Sequence, residues 1–295
     1  MDGAVANSLM DTMNISVFAA MEDHSKCSIV PDTAGSGSSP SIKAAEELAA
    51  GKTHWVDSLG NKHALSNEQH AFLCQKAYEG EALLMANTRN PDINSDGNPW
   101  RFEFERKDLQ LKVYNSMAHG NTIRRFKAVC VIPGIAPREL MAFIGDCPRR
   151  LTWDRNICAL TTLQIRDDSR GLVTILRCAT KQVGPISGRD FIDATIVRNL
   201  DDGSIVNGGS GLCPEDLHLL HPESKAFVRG LNQPGSGWLV EPIKSPDGAV
   251  TGSNIQYIIH TDLKGWFNAF IINQAIGGSY TAFFEDMLGA LRERG

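Results

Sequence analysis

The chain has 295 residues, 42% of them hydrophobic and 21% charged, with a formal net charge of −5. That is material for one large domain or two small ones, and the mild acidity excludes the basic footprint that a nucleic-acid binder needs. No run approaches the ~18 apolar residues of a membrane span, and the N-terminus starts acidic with no basic flank, so no signal peptide is expected.

In chain order, residues 1–60 read as a mostly disordered tail. TAGSGSSPS is linker-like, and SIKAAEELAA would be marginal as an isolated helix. The alternative for this tail is regulation or targeting through a protein partner. Residues 61–295 are expected to form the folded domain. Ser66 and Gln69 make a capping-box pattern, and the helix that follows places Phe72, Leu73, Ala77 and Leu84 near one face. The loop NPDINSDGNP leads to three strand patterns of period two, WRFEFERKD, LQLKVYNS and IRRFKAVCVI. APRELMAFIGD is a short helix with Pro137 near its first turn, and PRRLTWDRN is a second short helical piece. Strands are expected at 157–166, 171–179, 189–198, 203–209 and about 225–243, with SNIQYIIHTDL as the ninth. The remainder reads as one helix.

Nine consecutive antiparallel strands make a strongly curved sheet with one apolar face to cover. The last helix, introduced by DLKGWFNAFIINQ, is the long apolar element. From Phe267 its apolar positions include Ile271, Ile276, Tyr280, Phe283, Phe284, Met287, Leu288 and Leu291, and the last six, from Tyr280 on, follow helical spacing. Burying ~6 such side chains contributes on the order of 10–15 kcal/mol before entropy is subtracted. Gly277 and Gly278 cost about 2 kcal/mol relative to alanine in a helix interior. The helix is thus either a plug for the core or a pliant lid over a cavity.

Several stretches resemble one family. VCVIPGIAPRELMAFIGDCPRRLTWDRNI resembles a strand, short helix and Trp-Asp segment of the START (StAR-related lipid transfer) domains, with Trp153, Asp154 and Asn156 in place. GPISGRDFIDATIVR resembles their Pro-x-Ser-x-Arg-Asp-aromatic signature through Pro185, Ser187, Arg189, Asp190 and Phe191. GWLVEPI resembles a third motif, and DLKGWFNAFIINQ is similar to the start of the last helix in the steroidogenic acute regulatory protein branch. The resemblance covers roughly residues 65–295. It implies an α+β helix-grip fold, a nine-stranded antiparallel sheet wrapped around the C-terminal helix. A tunnel between sheet and helix would hold one lipid, with opening loops at about 180–188 and 211–224.

The resemblance also turns Arg189 into the tunnel, paired with Asp167 or Asp168; the alternative is a surface salt bridge. Period two then puts Phe191, Asp193, Thr195 and Val197 on the same face, while Arg177 can point either way. Trp153 and Trp238 read as core anchors, and Trp266 as either core or ligand contact. Phe270, Ile271, Tyr280 and Phe284 are the candidate lid residues.

No enzyme signature is present. Glu46 stands where a phosphate loop ending in GKT needs glycine, and there is no GxSxG. Cys213, His218 and His221 match no common zinc spacing, so neither metal nor cofactor is expected. The seven cysteines, Cys27, Cys74, Cys130, Cys147, Cys158, Cys178 and Cys213, include no CxxC and read as reduced thiols of a cytoplasmic protein. The expected function is lipid binding and transfer with transient contact at a membrane surface. DLKGW leans toward a sterol, a carotenoid or a related isoprenoid. The alternatives are a phospholipid, whose choline would need an aromatic cage from a chain with four tyrosines, a helix-grip enzyme acting on a small apolar compound, and a ligand-sensing regulatory module.

Overall fold

A computed structural model describes residues 54–56, 62–118, 123–168, 170–182, 186–213, 216, 227–265 and 269–293. The expected tail lies almost wholly outside them, as do Trp266, residues 183–185 of the first expected opening loop and most of the second. Two short strands, β1 (His54–Val56) and β2 (Lys62–Ala64), pair antiparallel ahead of the first long helix.

The first long helix, α1 (Asn67–Arg89), starts on the expected capping box: Ser66 Oγ accepts from Gln69 N and Gln69 Oε1 accepts from Ser66 N. The strands β3 (Arg101–Arg106), β4 (Leu111–Met117) and β5 (Arg124–Pro133) follow. Two short helices come next, α2 (Pro137–Gly145) and α3 (Cys147–Trp153), each opened by a proline. Then come β6 (Ile157–Asp168), β7 (Gly171–Thr180), β8 (Arg189–Asn199) and β9 (Ile205–Gly211).

The long strand expected near 225–243 is broken into β10 (Val228–Arg229), β11 (Leu231–Asn232) and β12 (Ser236–Lys244). Pro234 has no amide to give a ladder, and Gly235 takes φ +89°, so the chain turns there. β13 (Val250–Ile259), β14 (Thr261–Asp262) and α4 (Ala269–Arg292) complete the fold. Nine strands pair antiparallel in the order β3-β4-β5-β13-β12-β9-β8-β7-β6, and β10 adds in parallel to β8.

Both faces of this sheet are covered. On the inner face, α4 presents Ile272, Ile276, Tyr280, Phe283, Phe284, Met287 and Leu291 to Phe126, Ala128, Cys130, Trp238, Val240 and Ile255, with α2 closing the same cluster. The stripe begins at Ile272; Ile271 is only half-buried. On the outer face, α1 packs Leu73, Cys74, Ala77 and Leu84 against β7, β8, β9 and β12. This second layer was not expected. Its closest approach is made by glycine, since a Cβ on Gly80 would lie 2.1 Å from the carbonyl carbon of Gly209.

Candidate functional site

Strand β8 fixes which residues face inward. Ile192, Ala194 and Ile196 lie in the cluster under α1, whereas Val197 packs against the cluster under α4. Alternation therefore puts Phe191, Asp193, Thr195 and Val197 on the inner face. Register carries the assignment across: Asp193 pairs with Leu176 and Phe191 with Cys178, so these β7 residues also face inward.

The arginines are placed differently. Arg177 shares its face with Val173 and Ile175, toward α1, and its Nε donates to Asp190 at 3.0 Å. It is not on the inner wall. Arg189 is 2% exposed and reaches the backbone ahead of α4: Nε donates to Leu263 O at 2.5 Å and Nη1 to Ser187 O at 2.6 Å. Its expected pairing with Asp167 or Asp168 fails. These residues pair with Leu172 and Gly171, and Leu172 pairs with Val197, eight residues along β8 from Arg189. At about 3.3 Å per residue the separation is roughly 26 Å. The β6–β7 turn lies at the opposite end of the sheet.

The inward cation is Arg150, which the sequence reading passed over. Asp146 caps α3 by accepting from Arg149 N at 3.1 Å. One turn later Arg150 and Asp154 meet at i,i+4 spacing, Nε to Oδ2 at 3.0 Å, with Asp154 2% exposed. The guanidinium carbon sits 5.2 Å from the Phe283 ring and 5.9 Å from Trp153 and Trp238. Burial disfavours the charge, and Asp154 more than offsets it, so the pKa is raised. Among the described residues, the two terminal amino groups of Arg150 have no hydrogen-bond acceptor.

Asp193 faces the same interior. Its Oδ2 accepts from Asn232 Nδ2 at 2.9 Å, while Oδ1 is buried with no hydrogen-bond partner among the described residues. Burial raises its pKa from 3.8 to about 6, against the opposing effects of Asn232 and Arg229. Tyr257 and Cys178 both lie within electrostatic range of Arg150 and Asp193, and burial raises both pKa values, that of Cys178 to about 12. The buried Trp153 Nε1 is likewise without a partner. A polar pole thus sits in an otherwise apolar layer. A depression of about 260 Å³ lies elsewhere, between α4 and the β4–β5 end, lined by Leu109, Val131, Pro133 and Leu288. It holds none of these groups.

The aromatic residues divide. Trp153 stacks on Phe143 with centroids 5.2 Å apart, and Trp238 stacks on Tyr257. Phe191 is covered at Gly230, where an added Cβ would lie 2.2 Å from its ring. Thr195 donates to Thr174 O at 3.4 Å. Tyr280 Oη is shared between the carbonyls of Phe126 and Tyr257, at 3.0 and 3.1 Å, so it docks α4 on β5 and β13. Phe284 is fully buried in the core. The side chain of Phe270, like those of Asp167 and Asp168, lies outside the described residues.

Comparison with known proteins agrees with this geometry. The START domain family model matches residues 85–295. Human StAR-related lipid transfer protein 5 is 29% identical over 158 residues, 51% of this chain and 69% of that protein. Human StAR-related lipid transfer protein 4 is 30% identical over 213 residues, 71% of this chain and 95% of that protein. The solved structure of human StAR-related lipid transfer protein 5 has a TM-score of 0.63 at 21% identity, covering 76% of this chain and 98% of that one. These matches support proteins 4 and 5 of the family, not the steroidogenic acute regulatory branch specifically. They carry names of lipid transfer proteins, not of enzymes. A nine-stranded sheet with a long C-terminal helix packed on its inner face, and a family match over most of its length, place the chain in the START domain family.

Proposed function

We propose that the protein carries one lipid between the inner face of the sheet and α4, with the polar end of the lipid at Arg150 and Asp193. The observation that carries this reading is Asp193 Oδ1, buried with no hydrogen-bond partner among the described residues, on the face that also receives the Arg150 guanidinium. An unsatisfied buried polar atom costs about 1–3 kcal/mol, so a ligand that meets the demand at Asp193 Oδ1 gains binding energy there. A hydroxyl meets it by donating to Asp193 Oδ1, while Arg150 offers donors to a polar group of the ligand. A sterol or a hydroxylated isoprenoid such as a carotenoid fits that description.

A choline head group fits less well. The rings that would cage it, Trp153, Trp238 and Phe283, already surround the guanidinium of Arg150. Aromatic faces engaged with the protein's own cation are not free for a second one. The names of the relatives support transfer, and transfer in the cytoplasm requires transient contact with donor and acceptor membranes. No helix among the described residues is long and apolar enough to cross a membrane.

The test compares a sterol with its 3-methyl ether, which accepts a hydrogen bond but donates none. The alcohol is expected to bind about tenfold more tightly, the effect of one charge-assisted hydrogen bond. Equal affinities, or preferential uptake of phosphatidylcholine, would remove Asp193 and Arg150 from the head-group site.

A further inference from the structure

The stretch Asp262-Leu263-Lys264-Gly265 makes an unusual turn before α4. Lys264 takes φ +53° and Gly265 φ +95°, two left-handed residues in succession. A β-carbon disfavours that conformation at Lys264, and Asp262 holds it: Oδ1 accepts from Lys264 N at 2.8 Å, and Oδ2 meets Lys264 Nζ at 2.7 Å. The turn presents the carbonyls of Leu263 and Lys264 to one side chain. Arg189 Nε reaches the first at 2.5 Å and Nη2 the second at 3.3 Å. Its Nη1 reaches Ser187 O at 2.6 Å and Ser187 Oγ at 2.8 Å. One buried guanidinium therefore ties two backbones: the chain leading into β8 and the chain leading into α4.

We infer that Arg189 is a positioning residue for ligand exchange, a latch that holds the root of α4 and must release Leu263 and Lys264 when the helix moves. The placement favours this role over ligand contact. All these acceptors lie on backbone or on Ser187, and the fork geometry of arginine matches acceptors on two chains at once. Lysine has no such fork. Past the root, Ile272 and Ile276 pack into the core, Asn273 Oδ1 accepts from Arg124 N at 3.2 Å, and Gly277 and Gly278 have no neighbour within 4 Å of an added Cβ. The tie at Arg189 is thus well placed to control opening of the first turns.

The exchange part of the inference rests on the lipid-carrier reading; the latch itself does not. Amide hydrogen exchange on the ligand-free protein tests the latch alone. In Arg189→Lys, residues 269–276 are expected to exchange about tenfold faster, with residues 67–89 unchanged, as for a local opening. Release of a fluorescent sterol should accelerate by about the same factor, while affinity shifts less, because Arg189 is not a ligand contact and entry accelerates along with release. Asp262→Ala loosens the turn without touching Arg189 and should act in the same direction; it carries the test if Arg189→Lys fails to fold. Wild-type protection of 269–276 in the folded variants would overturn the inference. Equal acceleration in 67–89 would overturn it too, by making Arg189 a support of the whole fold. Selective opening of 269–276 in a protein that takes up no sterol would keep the latch and defeat the carrier reading.

Discussion

The two long helices cover opposite faces of one sheet and are attached to it in opposite ways. α1 is seated as closely as backbones allow: Gly80 stands on Gly209, and Ser210 Oγ donates to Lys76 O at 2.8 Å. Its buried Glu81 is held by Arg198 and by Arg170 at 3.3 Å. α4 packs Ile272 and Ile276 into the core in its first half, and among the described residues its ion pairs to the sheet side fall in its second half. Tyr280 is docked on two sheet carbonyls, and Arg155 binds Asp286 at 2.8 Å and Glu285 at 3.0 Å. Upstream of Tyr280, Gly277 and Gly278 face open space. Glycine thus serves close contact in one helix and leaves a compliant point in the other. A rigid outer layer and a partly tethered inner helix are what a carrier needs if its lipid passes under α4.

The sharpest break of this contrast is the same substitution made in both helices. Gly80→Ala puts a methyl group into the backbone of β9, which has no side chain to move aside, and should cost about 3 kcal/mol. A melting curve within a degree or two of wild type would show that α1 can lift from the sheet.

The contrast extends to buried carboxylates. Glu81 is paired with two arginines, whereas Asp193 Oδ1 has no hydrogen-bond partner among the described residues. With its pKa raised to about 6, the folded unliganded protein holds the Asp193 proton more tightly than the unfolded chain does. Stability from this group therefore falls as pH rises from about 4 to 6, and the penalty is complete above that window. Asp193→Asn should raise unliganded stability by on the order of 2 kcal/mol at neutral pH, with the gain fading toward acid. Chemical denaturation at several pH values checks this, and a gain independent of pH would refute the assignment.

Gly277→Ala with Gly278→Ala should act opposite to Gly80→Ala, raising stability by about 1–2 kcal/mol. Vesicle-to-vesicle transfer should slow while affinity changes little. A stabilised double variant that transfers at the wild-type rate would place the gate outside this part of α4. The smallest effect is expected for Tyr280→Phe, which removes a shared hydrogen bond and should cost about 1 kcal/mol. Double-variant melting with the glycine pair shows whether the two ends of α4 respond independently.

Much of this fold was legible because period-two alternation needs only local sequence. The nine principal strands, the capping box at Ser66 and the helical stripe from Tyr280 onward all belong to that class. The long strand near 225–243 misled because Pro234-Gly235 interrupts an otherwise apolar pattern. α1 was legible as a helix but not as a second cover, since the residues that seat it, Gly80 and Glu81, are not apolar ones. At the site, alternation grouped Phe191, Asp193 and Thr195 but could not name their face, which depends on where both helices land. Alternation could not reveal the partners of Arg189, the first residue of β8, because Leu263 O, Lys264 O and Ser187 lie outside the sheet. Arg150 stayed hidden because seven residues are too few for periodicity; its signal was the i,i+4 arginine and aspartate around Trp153.

Native mass spectrometry tests the central claim most directly. The protein would be loaded from vesicles containing equal amounts of cholesterol and phosphatidylcholine, beside Arg150→Met and Asp193→Asn. The expected result is one sterol per chain in the wild type and weaker retention in both variants. Phosphatidylcholine retained in place of sterol, or equal sterol retention in all three proteins, would contradict the account.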